Sequence, residues 1–153
     1  MKLFLISVGR DRNDPIQGPI ETYAGRIRRW APLDLVELKE EPLRRNLSPS
    51  VAMRKEAERI GPKLRGRTIA LDRHGWSGTS LEWAQRLERW RDAGTTVSWV
   101  IGGPSGLDPS LLEQMDECWS LGPLTLPHRI ARLVVAEQLY RAFTILRDEP
   151  YHK

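Results

Sequence analysis

The chain has 153 residues, 40% hydrophobic and 29% charged, which fits a soluble globular protein large enough to bury a core. No apolar run approaches the ~18 residues of a membrane span, and a single cysteine, Cys118, excludes an internal disulfide and a cysteine-rich zinc site. Lys and Arg outnumber Asp and Glu by 24 to 20, and 19 of the 24 are arginine; this balance permits a nucleic-acid partner without requiring one.

In chain order, "KLFLISV" (Lys2–Val8) is a short apolar run closed by Gly9, a buried first strand rather than a signal peptide, since no small-residue cleavage site follows. "IETYAGRIRRW" (Ile20–Trp30) places Tyr23, Ile27 and Trp30 at helical spacing. "LDLVELK" (Leu33–Lys39) alternates as a strand does. Ser48 and Pro49 supply an N-cap and a first-turn proline for a helix to about Leu64. "RTIALD" (Arg67–Asp72) is the third strand, and "DRHGWSG" after it reads as loop. Thr79 and Glu82 form a capping box for a helix carrying Trp83, Leu87 and Trp90 and stopping at Gly94. "TVSWVI" (Thr96–Ile101) is the fourth strand, and Asp108-Pro109 opens a short helix to about Glu117. "CWSL" (Cys118–Leu121) is a fifth strand, and a last helix runs from about Arg129 to Leu146.

Strands alternating with helices predict an α/β fold, a parallel sheet with helices on both faces, in one domain spanning residues 1–153. Ligands of such sheets sit beyond the carboxyl ends of the strands, so the loops after Asp72, Ile101 and Leu121 are the candidates. In "IGGPSGL" the glycines let the backbone come close to a ligand, or simply make a tight strand-to-helix turn. The loop has no lysine after its last glycine and no G-x-G-x-x-G, which speaks against polyphosphate and NAD. "LGPLTLPH" (Leu121–His128) is too apolar for an ordinary exposed loop; it suits either a dry wall against a flat heterocycle or a buried connection. The last helix is apolar on two sides, Ile130, Leu133, Val134 and Tyr140 on one and Ala136, Leu139, Phe143 and Leu146 on the other. It needs two partners, the sheet and a second subunit. Within it, Glu137 and Arg141 stand at i,i+4 spacing.

"IGGPSGL", "WSLGPLTLPH", "RLVVAEQLYRAF" and the terminal "PYHK" together resemble the RlmH family, SPOUT-class methyltransferases that act on N3 of a pseudouridine in the helix 69 loop of 23S ribosomal RNA. The opening "MKLFLISVG", the strand "IALD" and the length agree, so the likeness spans nearly the whole chain. It implies a SPOUT fold with a C-terminal trefoil knot, a homodimer, a cytoplasmic location, assembled ribosomes as substrate and no metal. It also implies S-adenosylmethionine as methyl donor, in contact with Leu71, Gly102, Leu121, Gly122, Pro123, Leu124, Thr125 and Leu126.

Methyl transfer from a sulfonium is an in-line displacement in which positioning does most of the catalysis. The acceptor imide must lose a proton, so a base or an anion-stabilising cation is wanted beside it. Under the resemblance His152 is the base or a proton relay and Tyr151 stacks on or frames the target base. Arg132 and Arg141 stabilise the developing oxyanion or hold phosphate, and the tail is free to act across the dimer. Arg10, Arg12, Arg26, Arg28 and Arg29 are candidate RNA contacts. Two other classes remain: a small α/β hydrolase, disfavoured by the absence of G-x-S-x-G, and a non-catalytic RNA- or ribosome-binding protein of the same fold.

Overall fold

A computed structural model describes residues 1–9, 14–42 and 48–153. The elements are β1 (Lys2–Val8), α1 (Gln17–Ile27), β2 (Leu33–Leu38), α2 (Pro49–Ile60), a 3₁₀ turn (Gly61–Lys63), β3 (Arg67–Trp76), α3 (Ser80–Asp92), β4 (Thr96–Ile101), α4 (Pro109–Leu112), β5 (Glu117–Trp119) and α5 (His128–Ile145). The strands form one sheet in the order β2-β1-β4-β3-β5, with every neighbouring pair parallel.

The alternation of strand side chains sorts the core into two layers. Leu3, Leu5, Val97 and Trp99 face α1, α3 and α5, whereas Ile6, Val8 and Val100 face Ile60 of α2 and Leu111 of α4. Helix α5 packs against both α1 and α3, and its buried face carries Val135, Ala136, Leu139 and Phe143. Caps fix the helix starts as their sequence signals predict. Ser48 accepts the Val51 amide at the start of α2, Thr79 and Glu82 close a full capping box on α3, and Asp108 accepts the Ser110 amide at α4.

Several boundaries differ from the sequence reading: α2 ends at Ile60 and gives way to the 3₁₀ turn before Leu64, and β5 is Glu117–Trp119 in place of Cys118–Leu121. Helix α1 starts three residues early, at Gln17, and ends at Ile27, leaving Trp30 beyond it. The helix after Asp108 is a single turn, because β5 claims Glu117 for pairing with Ile69. "DRHGW" is not loop: β3 runs on through an irregularity to Trp76, which pairs with Trp119 as Leu71 does. The polar stretch Asp72–Gly75 carries no period-two signal, so nothing in its pattern announces a strand. The Trp76 ring instead anchors it, edge-on to Trp119 at 4.8 Å between centroids. Trp83 and Trp90 also pack on Trp119, and Trp90 meets Trp99, so the tryptophan stripe of α3 closes over the β3–β5 side of the sheet.

Candidate functional site

A cleft of about 890 Å³ lies at the C-terminal side of the sheet. Its walls come from the second half of β3, the loop after β4, the segment after β5 and the first turn of α5. Leu71, Gly102, Leu121, Gly122, Leu124, Thr125 and Leu126 line it, and Pro123 does not. Leu124 is 75% exposed, an apolar side chain held out where a ligand or another chain is wanted. Asp72, Arg73 and His74 form a polar rim, in which Asp72 Oδ1 accepts the His74 amide at 2.8 Å.

The tandem glycines of the β4 loop each have a physical cause. A Cβ on Gly102 would stand 2.6 Å from the Gly106 carbonyl oxygen, across the turn closed by the Gly106 amide on the Gly103 carbonyl at 2.9 Å. A Cβ on Gly103 would stand 2.9 Å from a carboxylate oxygen of Glu56. The backbone is therefore folded tightly on itself and on α2, with its outer side left to the cleft. Gly122, at φ +112°, adopts a conformation other residues avoid, and Ser120 Oγ brackets it by accepting its amide at 3.2 Å and donating to its carbonyl at 3.1 Å. What results is a wall of leucine side chains interleaved with main-chain polar groups, with no lysine among them. Such a surface suits a flat, uncharged heterocycle.

His128 and Ala131 close the cleft at the start of α5. The sequence reading did not single out His128. Its Nε2 is buried without a hydrogen-bond partner, 4.0 Å from Glu40 and packed against Gly9, where a Cβ would approach to 2.6 Å. Burial pushes its pKa below the usual histidine value, with the Glu40 carboxylate opposing.

The C-terminal tail folds back onto its own α5. Tyr151 donates to Glu137 Oε1 at 3.0 Å, shares a 3.3 Å hydrogen bond with the Tyr23 hydroxyl, and sets its ring edge-on to Tyr140 at 4.8 Å. Arg141 donates twice to the same Glu137 oxygen, at 3.0 and 2.7 Å, lies over the Tyr151 ring at 4.8 Å, and has Nη1 3.3 Å from His152 Nδ1. The i,i+4 pair of Glu137 and Arg141 is thus real, and it serves as the seat of the tail.

Arg132 stands apart from that cluster. Its side chain is 6% exposed, donates to Glu37 at 2.8 Å and to Gln17, and has Asp14 at 3.9 Å. It ties α5 to β2 and to the start of α1. Among the arginines proposed for RNA, Arg26, Arg28 and Arg29 are exposed; Arg28 donates to the Leu33 carbonyl and Arg26 lies over Tyr140. Arg10 and Arg12 lie outside the described residues. Among the described residues no group of three or more His, Cys, Asp or Glu is arranged to hold a metal ion, and no helix is long and apolar enough to cross a membrane.

A family model described as "Predicted SPOUT methyltransferase" matches residues 1–152. Similar proteins named "Ribosomal RNA large subunit methyltransferase H" include one from Anaeromyxobacter sp. (strain Fw109-5), 46% identical, and one from Gemmatimonas aurantiaca, 44% identical. Each alignment covers all of both chains. Among solved structures, a probable methylase family protein from Haemophilus influenzae superposes with a TM-score of 0.54 at 16% identity, covering 99% of this chain and 70% of that one. A putative methylase family protein from Neisseria gonorrhoeae gives 0.55 at 13%, covering 91% and 81%. At such identities the two structures speak to the fold alone, and that fold agrees with the sheet and helices described above. With its parallel sheet, its cleft beside the last strands and this full-length similarity, the chain belongs to the SPOUT methyltransferase family.

Proposed function

We propose that this protein is an S-adenosylmethionine-dependent methyltransferase acting on N3 of a pseudouridine in the helix 69 loop of 23S ribosomal RNA. In this reading it works as a cytoplasmic homodimer on assembled ribosomes. The observation that carries the reading is the cleft. Leu71 of β3, Gly102 after β4 and the segment after β5 converge on it from three separate stretches of chain, offering apolar walls and main-chain groups to a nucleoside. The apolar walls at Gly102–Leu107 and Leu121–Leu126 carry no basic side chain that would repel a sulfonium; Arg73 stands with Asp72 on the rim. The names carried by the full-length relatives support ribosomal RNA as the substrate class.

When bound, the sulfonium supplies an electrophilic methyl carbon, and a thioether leaves as the new N–CH₃ bond forms. The chain's own residues do the rest. His152 takes the N3 proton as the imide attacks. Arg141 stabilises the charge that spreads onto the neighbouring carbonyl oxygen, and Tyr151 stacks on the base. Arg132, buried against Glu37 and Gln17, positions the start of α5, and with it the His128 end of the cleft.

Residues Ala131 and Arg141 are separated by roughly 15 Å of helix axis at 1.5 Å per residue, so the tail cluster is seated well away from its own cleft. A composite site made by the tail of one protomer and the cleft of the other resolves that separation. The half-exposed Ile130, Leu133, Val134 and Tyr140 on α5 support such a pairing. The same reading threads the segment after β5 as a trefoil knot, an exception to the rule against threaded loops. The return of the chain from edge strand β5 to α5, packed over β1 and β4, supports it.

Two measurements test the function. Calorimetric titration with S-adenosylmethionine separates it from a hydrolase. Incubation with labelled donor and ribosomes lacking the modification separates it from a non-catalytic ribosome-binding protein. Donor binding with methyl incorporation is expected; donor binding with no incorporation would favour the binding protein.

A further inference from the structure

Glu56 is an acid in a place where acids are costly. It sits on the inner face of α2 with Ala52 and Ile60, is 4% exposed, and borders the apolar cluster of Val8, Leu38 and Val100. An ionised carboxylate buried there needs hydrogen bonds or a cation. Among the described residues no guanidinium or ammonium is hydrogen-bonded to it; Arg59 acts on it only through space, and Glu40 opposes it with like charge. The main chain holds it instead. The Glu41 amide donates to Oε1 at 2.9 Å, and the carboxylate lies directly against the backbone of Gly103. Gly103 sits so close that a Cβ would lie 2.9 Å from Oε2 and 3.1 Å from Oε1.

We infer that Glu56 is a positioning residue of the donor site, holding the Gly102–Gly106 loop in its binding shape from beneath through its contact with Gly103. The inference rests on the methyl-donor reading of the cleft. Glu56 does not line the cleft and touches no substrate; it acts through a loop that does. A loop held in its bound shape before the ligand arrives costs no ordering entropy on binding. Removing the tether therefore weakens donor affinity and leaves the transfer step at saturation nearly intact.

The stability effect runs the opposite way. Burial is the largest influence on Glu56 and pushes its pKa up, so its ionised form is held less favourably in the fold than in water. A neutral side chain of the same shape relieves that cost. A residue with a merely structural role would lose stability and affinity together.

The test is calorimetric titration of S-adenosylmethionine into the full-length wild type and Glu56→Gln, alongside melting curves and initial rates on ribosomes. In Gln the oxygen that keeps the Glu41 amide leaves an NH₂ group facing Gly103 in place of Oε2, so the contact with the loop changes while the shape is kept. The expected result is a donor Kd about tenfold higher, kcat at saturating donor within about threefold of wild type, and a melting temperature equal or raised. A Kd within twofold of wild type would overturn the inference. So would a fall in melting temperature with donor affinity lost only in proportion.

A second comparison does not depend on the fate of that one variant. Gly103→Ala clashes with the carboxylate, and shortening Glu56 opens the space. Donor affinity lost in Gly103→Ala is expected to be partly restored in Glu56→Ala/Gly103→Ala; strictly additive losses would count against the contact. A wild-type protein that takes up no donor would instead overturn the functional reading on which the inference stands.

Discussion

Tyr151, near the chain's end, donates its phenol to Glu137 in the middle of α5 at 3.0 Å. Burial is the largest influence on that phenol, with the hydrogen bonds to Tyr23 and Glu137 next, and together they push its pKa well above the ordinary tyrosine value. Tyr151 therefore stays neutral across the working range. It contributes a ring and a fixed orientation, and the anion in the cluster is Glu137.

From this follows a split between two substitutions. Tyr151→Phe keeps the ring and loses its hydrogen bonds, so it is expected to cost about 1 kcal/mol of stability and to leave methylation within about threefold of wild type. Tyr151→Ala removes the stacking surface, worth about 1–3 kcal/mol per base, and is expected to slow methylation by about tenfold or more. Urea titrations and single-turnover rates measure the two effects separately. Equal activity of the Phe and Ala variants would remove stacking from the mechanism.

Arg132 and Arg141, both on α5, are expected to fail in different ways. Arg132→Ala strips a buried cation from Glu37 and Asp14 and is expected to cost about 3–5 kcal/mol in chemical denaturation. Arg141, a quarter exposed, is expected to cost only about 1 kcal/mol as Ala while methylation falls by about 10²–10³. The reverse pattern would exchange the roles given to them.

If the tail serves the partner's cleft, two inactive variants complement each other. His152→Ala spoils the tail, and Gly102→Val fills the gap before the Gly106 carbonyl and spoils the cleft. Random exchange of equal amounts makes about half the dimers mixed, each with one intact composite site, so about a quarter of wild-type activity is expected to return. A tail acting on its own cleft would restore none.

His128 gives the fold a defined response to acid. Its folded pKa is depressed, chiefly by burial, below the unfolded value of about 6.5. Below 6.5 the unfolded chain gains a proton that the folded one refuses. Its contribution to stability is thus fully present above that pH and is lost as pH falls toward the folded value. Urea midpoints measured from pH 7.5 down to 5 are expected to fall, and more shallowly in His128→Phe. Identical slopes for the two proteins would show that this imidazole is not held neutral.

Much of the scaffold was legible because local signals and tertiary packing agree. The strands Lys2–Val8 and Thr96–Ile101 are apolar runs bounded by turn residues, and Thr79 with Glu82 closes the capping box its letters announce. The end of β3 was not legible, since Asp72–Gly75 is held by Trp76 on Trp119 and not by its own pattern. The cleft was legible in the glycine and leucine spacing around Gly102 and Leu121–Leu126, but its supports were not. Glu56 left one trace, a carboxyl at the helical register of buried Ala52 and Ile60, where an apolar residue is the norm. His128 left none, because its surroundings come from Gly9 and Glu40, distant in sequence. Glu137 and Arg141 were legible as a pair; that Tyr151 and His152 close on them depends on where the chain turns after α5.

The measurement that bears most directly on the proposed activity is mass mapping of 23S ribosomal RNA after incubation of the protein, labelled S-adenosylmethionine and ribosomes lacking the modification. One labelled methyl group on N3 of a single pseudouridine in the helix 69 loop, absent with Gly102→Val, is the expected result. Label on another nucleotide, or none while the donor still binds, would contradict it.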